Sequence, residues 1–409
     1  MKKLDVKLRR SPQEIITVGT LADDNGRIFF EYAPAFLETG LQLSPYRLAL
    51  TPGLIAHREL SFGPLPGLFQ DSLPDDWGLL LMDHDFRRQG IDPAALSPLD
   101  RLAWLGTGTM GALTYHPPRA WAPDDSPLDL YALGRNAADV LAGETAEILP
   151  QLMRTGGSPG GARPKVLVGL WGERILSGEE DLPDGFEHWM VKFTGQSDPR
   201  DGGPTEYAYS CMARAAGIEM PPTKLLEVKH GSNRRSYFAV CRFDRAAGNR
   251  RSHVHTFAGL LHVNFRIQQS DYADLLKVTR SLTQNHADVL RLFRLMVFNL
   301  ATHNRDDHAR NFAFVLDPNT GEWALTPAYD LTFAMGPGGK HSTTLAGEGR
   351  APSRQHCLKL AGPADIAQRA AETIFEEVNA AVARWPQFAA DADCTRKTTA
   401  SIRKMLVQV

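Results

Sequence analysis

Residues 303–312 read HNRDDHARNF, with apolar LFRLMVFNLA just before them and AFVL directly after them. Asp306 and Asn311 stand five positions apart in that run. A carboxylate and a neutral carboxamide at this spacing, on a short loop behind a hydrophobic helix, suit phosphoryl transfer. The carboxylate of Asp306 would accept the proton of an attacking hydroxyl. The carbonyl oxygen of Asn311 would help hold a hard Mg2+ ion. Asp307 competes for the base role, but it stands four residues from Asn311 and is expected to point elsewhere. A second metal-holding acid should follow near a strand end, and LTPAYDL (325–331) supplies Asp330.

Such a site also needs groups that hold phosphates. GGSPGGARPK (156–165) is the one dense glycine cluster of the chain. It is not a Walker A loop, because no GK[ST] closes it. Glycines let backbone N–H groups approach phosphate oxygens closely, so Gly160, Gly161 and Ala162, with Lys165 at the loop's end, are candidate phosphate contacts. Lys192 sits in the apolar strand HWMVKF (188–193), where a buried charge requires a partner. Glu206, near the start of the next helix, is the expected one. Each piece has a plainer reading by itself: a turn, an edge-strand lysine, a first-turn acid, a cap. His303 and His308 alone read as packing histidines. A metal-hydrolase reading of the acids and histidines lacks an HExxH spacing. What favours phosphoryl transfer is the joint order of loop, Lys192, Glu206, Asp306/Asn311 and Asp330, which is the order of protein kinases.

The elements that must position these residues fall into three stretches. The first hundred or so residues alternate short apolar runs, such as IITVGTLA and RIFFEYA, with DDNG and PG punctuation, which predicts antiparallel strands. Within them, 72–89 and 96–106 read as helices, the first starting near Asp75 or Asp76 and the second capped by Ser97, and 111–117 returns to strand. Proline-rich 117–127 is the expected boundary. Residues 128–150 look helical. The glycine loop then runs into a strand, and strands at HWMVKF and RRSYFAVCRFD flank the helix PTEYAYSCMARAAG (204–217). After residue 263 the pattern is helical, with DYADLLKVTRSL, HADVLRLFRLMVFNLATH and PADIAQRAAETIFEEVNAAVARW carrying 3.6-period apolar faces.

Bulk properties bound the partners. The chain has 409 residues, 45 basic and 47 acidic, so its net charge of -2 argues against nucleic-acid binding through its overall field. The four cysteines show no CxxC pairing, which fits a reducing compartment. The start MKKLDVKLRR has no apolar signal core, and no run approaches membrane-spanning length. A cytoplasmic protein without a membrane partner is expected.

At GGSPGGARPK, HWMVKF, TEYAYSCMARAAGI, AVCRFDR, DDHARNF and LTPAYDL the sequence resembles the HipA family, the toxin kinases of bacterial HipBA toxin–antitoxin modules. The resemblance implies an α+β fold: a bilobal kinase-like core with a β-rich N-lobe (121–262) and an all-helical C-lobe (263–409), preceded by a small β-rich domain (1–120). It implies a serine/threonine protein kinase using ATP and Mg2+. Asp306 matches the base, His308 a catalytic-loop histidine of positional role, and Asn311 and Asp330 the metal ligands. Lys192 matches the phosphate-contacting lysine. Backbone groups of Cys241 and Phe243 match the adenine-binding hinge, with Asp244 near the ribose. Ser158 matches a serine whose autophosphorylation ejects the loop. The family also implies a HipB-like helix-turn-helix antitoxin, operator DNA reached through it, and an aminoacyl-tRNA synthetase as protein substrate. Two other readings stand beside it: a silent ATP-binding corepressor, and a small-molecule phosphotransferase, which the basic stretch 347–360 disfavours.

Overall fold

A computed structural model describes residues 1–119, 127–145, 147–195, 199–267 and 270–409. The expected boundary, with its division at residue 120, falls largely outside the described residues.

The N-terminal strands β1 (Lys2–Arg9), β2 (Ile15–Asp24), β3 (Arg27–Tyr32), β4 (Leu54–Ala56) and β5 (Leu113–His116) form one antiparallel sheet in the order β4-β3-β2-β1-β5. Alternation sets the faces: Leu4, Val6 and Leu8 of β1 are buried between exposed or half-buried neighbours. Asn25 and Gly26 both take positive φ, 54° and 81°, in the tight turn that joins β2 to β3. Two helices, α1 (Asp76–Arg88) and α2 (Pro98–Leu105), lie between β4 and β5 in the chain. Ser97 and Asp100 close a capping box on α2, worth about 1 kcal/mol.

Helices α3 (Leu130–Leu141) and α4 (Pro150–Gly156) lead through the glycine-rich loop into a second antiparallel sheet. Its strands are β6 (Lys165–Trp171), β7 (Arg174–Ser177), β8 (Glu187–Lys192), β9 (Thr223–His230) and β10 (Asn233–Cys241), in the order β7-β6-β8-β10-β9. Helix α5 (Gly202–Ala215) packs on this sheet and ends at Gly217, whose φ of 75° suits a helix stop. The register puts Lys165 directly opposite Lys192, with Phe238 on the far side of Lys192.

The remaining half is mainly helical, with α6 (Tyr272–Thr283), α7 (His286–Ala301) and α8 (Gln368–Ala383) as its main members. The sequence predicts an all-helical lobe here, and the structure corrects that expectation. Strands β11 (His253–Thr256), β12 (Ala313–Leu316) and β13 (Trp323–Leu325) make a three-stranded antiparallel sheet in the order β11-β12-β13. These strands are three or four residues long, too short to interrupt the longer helical periodicity around them. Phe30 of the first sheet, Val191 of the second and Phe298 of α7 belong to one continuous buried core. The first unit also meets the last at backbone distance, since a Cβ on Gly67 would collide with the Gly259 carbonyl.

Candidate active site

Lys192, at the end of β8, points at two acids. Its ammonium pairs with the Glu206 carboxylate of α5 and with Asp330 Oδ1 at 2.5 Å. Burial works against its charge, but Asp330 and Glu206 outweigh it and push its pKa up. Asp330 is held far below the usual carboxylate range, first by Lys192 and also by Lys165. Glu206 moves the other way, raised by burial and by Asp330 despite Lys192. The ammonium therefore stays charged, and Glu206 is its fixed orienter. Asp330 itself takes a left-handed backbone, φ 58°. For a residue other than glycine this costs roughly 1 kcal/mol, an expense met mostly at functional sites.

Lys165 faces the same cleft. It is enclosed, and its Nζ donates to the Gly160 carbonyl at 2.6 Å. Burial and the neighbouring Lys192 bring its pKa down to about 8. Like charges opposite each other on adjacent strands disfavour one another, so this pair makes a cationic floor suited to an anion. Gly160, Gly161, Lys165, Lys192, Glu206 and Asp330 all line one cavity, together with Asn311 and His308.

The run HNRDDHARNF divides sharply. Asp307 is 1% exposed. Its carboxylate accepts from Tyr272 Oη at 2.9 Å, His341 Nδ1 at 2.9 Å, and the Ser342 and Thr343 backbone N–H groups at 2.9 and 3.3 Å. It has no capacity left for a substrate. Asp306 is exposed, and its carboxyl is raised by burial of its surroundings and by Asp330 and Asp307, against the pull of His308 and Arg163. A raised carboxyl is a better proton acceptor near neutrality. Asn311 Nδ2 donates to the Asp306 carbonyl at 2.7 Å, which leaves its Oδ1 as the acceptor available to a hard cation. His308 lines the cavity with its ring 5.2 Å from Phe265, and its Nδ1 has no hydrogen-bond partner among the described residues. His303 stacks on Phe333 at 5.6 Å, a packing histidine. The donor set of Asn311 Oδ1 and the Asp330 carboxylate, two hard oxygens on the wall of one cavity, fits Mg2+.

The residues expected to form a hinge against adenine meet two corrections. Cys241 and Phe243 line the cavity, and the Phe243 ring lies 5.7 Å from Tyr329. The Cys241 N–H already donates to the Pro222 carbonyl at 2.9 Å, so of its backbone only the carbonyl remains for adenine. Asp244 is at the cavity edge, but its carboxylate is not free for a ribose. Arg242 binds both its oxygens at 2.9 and 2.7 Å, Arg245 adds 2.7 Å, and the Gly111 N–H adds 2.7 Å. Burial alone would raise its pKa, yet the two arginines hold it far below the carboxylate range. Arg245 also grips the Thr109 and Gly111 carbonyls at 2.8 Å each. Asp244 thus fastens the hinge to the N-terminal unit.

The glycine-rich loop needs a correction too. Ser158 is buried and does not line the cavity that holds Lys192 and Asp330. It lies on the opposite side of the loop, beside Trp104, Arg119 and Arg154, and its Oγ has no hydrogen-bond partner among the described residues. Ala162 is exposed, away from the cavity lining. Sequence reasoning also missed that one wall comes from the N-terminal unit: Leu68, Asp71, Asp75, Met110 and Ala112 all line the cavity. Nearby, His255 bridges Asp71 Oδ2 at 2.6 Å and Ser44 Oγ at 3.0 Å. This copies the partners of a Ser-His-Asp triad, but Ser44 and His255 are 0% exposed. No substrate reaches that serine, and the trio is a polar joint.

Comparison with known proteins bears on this geometry. The model of the HipA-like C-terminal domain matches residues 157–385, more than half of the chain, and that of the HipA N-terminal domain matches residues 13–116. The chain belongs to the HipA family. HipA of the Shewanella oneidensis MR-1 toxin–antitoxin system, solved with HipB and its operator DNA, superposes with a TM-score of 0.70 at 16% identity, covering 98% of this chain and 94% of that one. The α+β HipA fold is therefore common to both. A Haemophilus influenzae protein described provisionally as a kinase is 25% identical over 136 residues, 31% of this chain and 39% of that relative's length. The proinflammatory kinase CtkA of Helicobacter pylori overlaps 60% of this chain and 92% of its own, at 13% identity and a TM-score of 0.34. Among the described residues no helix is long and apolar enough to cross a membrane.

Proposed function

We propose that this HipA-family protein is an ATP- and Mg2+-dependent serine/threonine protein kinase that acts as the toxin of a type II toxin–antitoxin module. The observation that carries the reading is the convergence of Lys192, Glu206 and Asp330 with Asn311 on one cavity, with Asp306 bonded to Asn311 through its backbone. A bound Mg2+ would neutralise developing phosphate charge. This chain's own residues do the rest. Lys192, oriented by Glu206, and Lys165 steer the phosphates. Asp306 takes the proton from the attacking hydroxyl. Asn311 and Asp330 hold the ion. Cys241 and Phe243 form the adenine edge. Such catalysis is positioning plus electrostatics, with little covalent chemistry for the protein to perform.

The family and its Shewanella relative, solved with HipB and operator DNA, support a HipB-like helix-turn-helix antitoxin as partner, with operator DNA met through it. The net charge of -2 fits a protein that borrows DNA affinity from a partner. The protein substrate we propose is an aminoacyl-tRNA synthetase, whose phosphorylation would stop tRNA charging. Ser158 is the proposed autophosphorylation site. In the loop conformation described above its hydroxyl faces away from the cleft, so its labelling requires the loop to swing out. A phosphate there adds nearly two negative charges and would keep the loop from closing. The test is incubation of the purified protein with labelled Mg-ATP. Label on Ser158, lost in Asp306→Asn, is expected. Nucleotide binding without transfer to any protein would instead support the silent corepressor. Phosphoproteomics after induced expression names the target.

A further inference from the structure

Asp75 stands at the N-cap of α1, a position where aspartate ordinarily accepts a backbone N–H of its own helix. Its side chain makes no capping bond. Instead Oδ2 accepts the Gly161 N–H at 3.1 Å, and Oδ1 pairs with the Arg310 guanidinium. Both side chains are largely enclosed, 13% and 12% exposed. Arg310 lies between His308 and Asn311, and it also binds the Gln70 and Leu73 carbonyls at 3.3 and 3.1 Å. A Cβ on Gly160 would stand 3.1 Å from Asp75 Oδ2, so the loop rests directly on the carboxylate. From the other side Lys165 holds the Gly160 carbonyl at 2.6 Å. One carboxylate of the N-terminal unit therefore joins the glycine-rich loop to the catalytic loop, 86 and 235 residues away in sequence.

We propose that Asp75 is a positioning residue that latches the glycine-rich loop over the cleft, making the N-terminal unit an integral part of the nucleotide site. The identity of the ligand rests on the kinase reading above; the latch rests on the contacts alone. The helix forgoes its cap so that the carboxylate can bridge two loops. Pairing with Arg310 keeps that carboxylate from repelling phosphate, because its charge is already matched. With the latch cut, the loop opens and every nucleotide bound must close it anew.

The test uses the full chain with Asp75→Ala and Asp75→Asn. Hydrogen exchange at the Gly160–Gly161 amides is read without nucleotide, and the Kd for Mg-bound, non-hydrolysable ATP analogue is read by calorimetry. Self-labelling is followed against ATP concentration. Asp75→Ala should speed exchange at least tenfold and raise Kd and KM about tenfold, the usual worth of one charge-assisted hydrogen bond. Turnover at saturating ATP should fall by a smaller factor than affinity does, since Asp306 and Asn311 keep their side chains; a merely structural defect would lower turnover in proportion to folded protein and leave KM and Kd unchanged. Asp75→Asn, which can still accept from Gly161 but cannot pair with Arg310, should fall between, and it serves if the alanine variant fails to fold. Unchanged exchange and Kd would overturn the latch. So would tighter nucleotide binding, which would make the carboxylate a competitor for the phosphate's place. A wild-type chain that binds no Mg-nucleotide refutes the kinase reading instead, and the exchange rates still decide the latch.

Discussion

Lys192 offers a perturbation whose size follows from its surroundings. Its side chain is 11% exposed and that of Glu206 is 6%. In Lys192→Met the shape is nearly kept, but Glu206 is left buried beside Asp330 without the cation that hydrogen-bonds to it. Breaking a buried pair this way costs about 3–5 kcal/mol, or roughly 5–10 °C in the unfolding midpoint. The cost depends on pH in a defined direction. Glu206 is already raised by burial and by Asp330, and loss of Lys192 raises it further. A carboxyl whose folded pKa lies above its unfolded value, about 4.3, costs stability above that value and is relieved as pH falls toward it. The deficit of Lys192→Met against wild type should therefore be largest near pH 7.5 and shrink by pH 5. Lys192→Met/Glu206→Gln, with no orphaned charge, should regain most of the stability at pH 7.5 while ATP turnover stays lost. Urea unfolding at both pH values, beside a labelling assay, checks this. An equal deficit at both pH values, unrelieved by Glu206→Gln, would refute the electrostatic account of this pair.

The two adjacent acids should separate cleanly. Asp306→Asn should lose about 10²–10⁴ in turnover, as expected for removal of a general base, with its thermal midpoint within a few degrees of wild type. Asp307→Asn should instead unfold early, by about 3 kcal/mol or more, because an amide NH2 is forced among four donors; calorimetry distinguishes the two. Lys165, brought down to about 8 by burial and Lys192, is charged below that pH and neutral above it. Affinity for Mg-ATP should fall between pH 7 and 9, and Lys165→Met should show a flat, weaker profile by titration calorimetry. Asp244→Ala should cost about 3–5 kcal/mol in denaturant unfolding, since it strands Arg242 and Arg245 in a buried site.

Local signals carried much of this molecule. The N–G turn after β2, the Ser97 cap, the period-2 pattern of β1 and the apolar face of α7 each depend on neighbours within a few residues, and sequence exposes such neighbours. Asp306 could be preferred over Asp307 by spacing alone, and the structure supplies the reason: Asp307 is consumed by Tyr272, His341, Ser342 and Thr343, at least 34 residues away. What spacing could not show was direction and distant company. Ser158 and Gly160 are two residues apart on opposite sides of one loop. Asp244 follows the hinge but meets arginines on both sides of it, and Asp75 looks like any helix cap until Arg310 is brought beside it. The cavity wall from Leu68 to Ala112 gave no motif, because apolar lining has no required spacing. The short strands after residue 250 were hidden for the opposite reason, being too brief to show a period.

The lysines opposed on β6 and β8 carry a consequence for how long the protein lasts in a cell. Without a bound anion, two lysines face each other in one enclosed spot, and burial together with Lys192 keeps Lys165 below its ordinary pKa. A triphosphate relieves that mismatch only in the folded chain, so at a hundredfold excess over its Kd it adds about 2.7 kcal/mol to the native state. On the proposed ATP-dependent reading, nucleotide supply would set resistance to proteolysis as well as catalytic readiness: starved of ATP, this chain would be the more easily cleared.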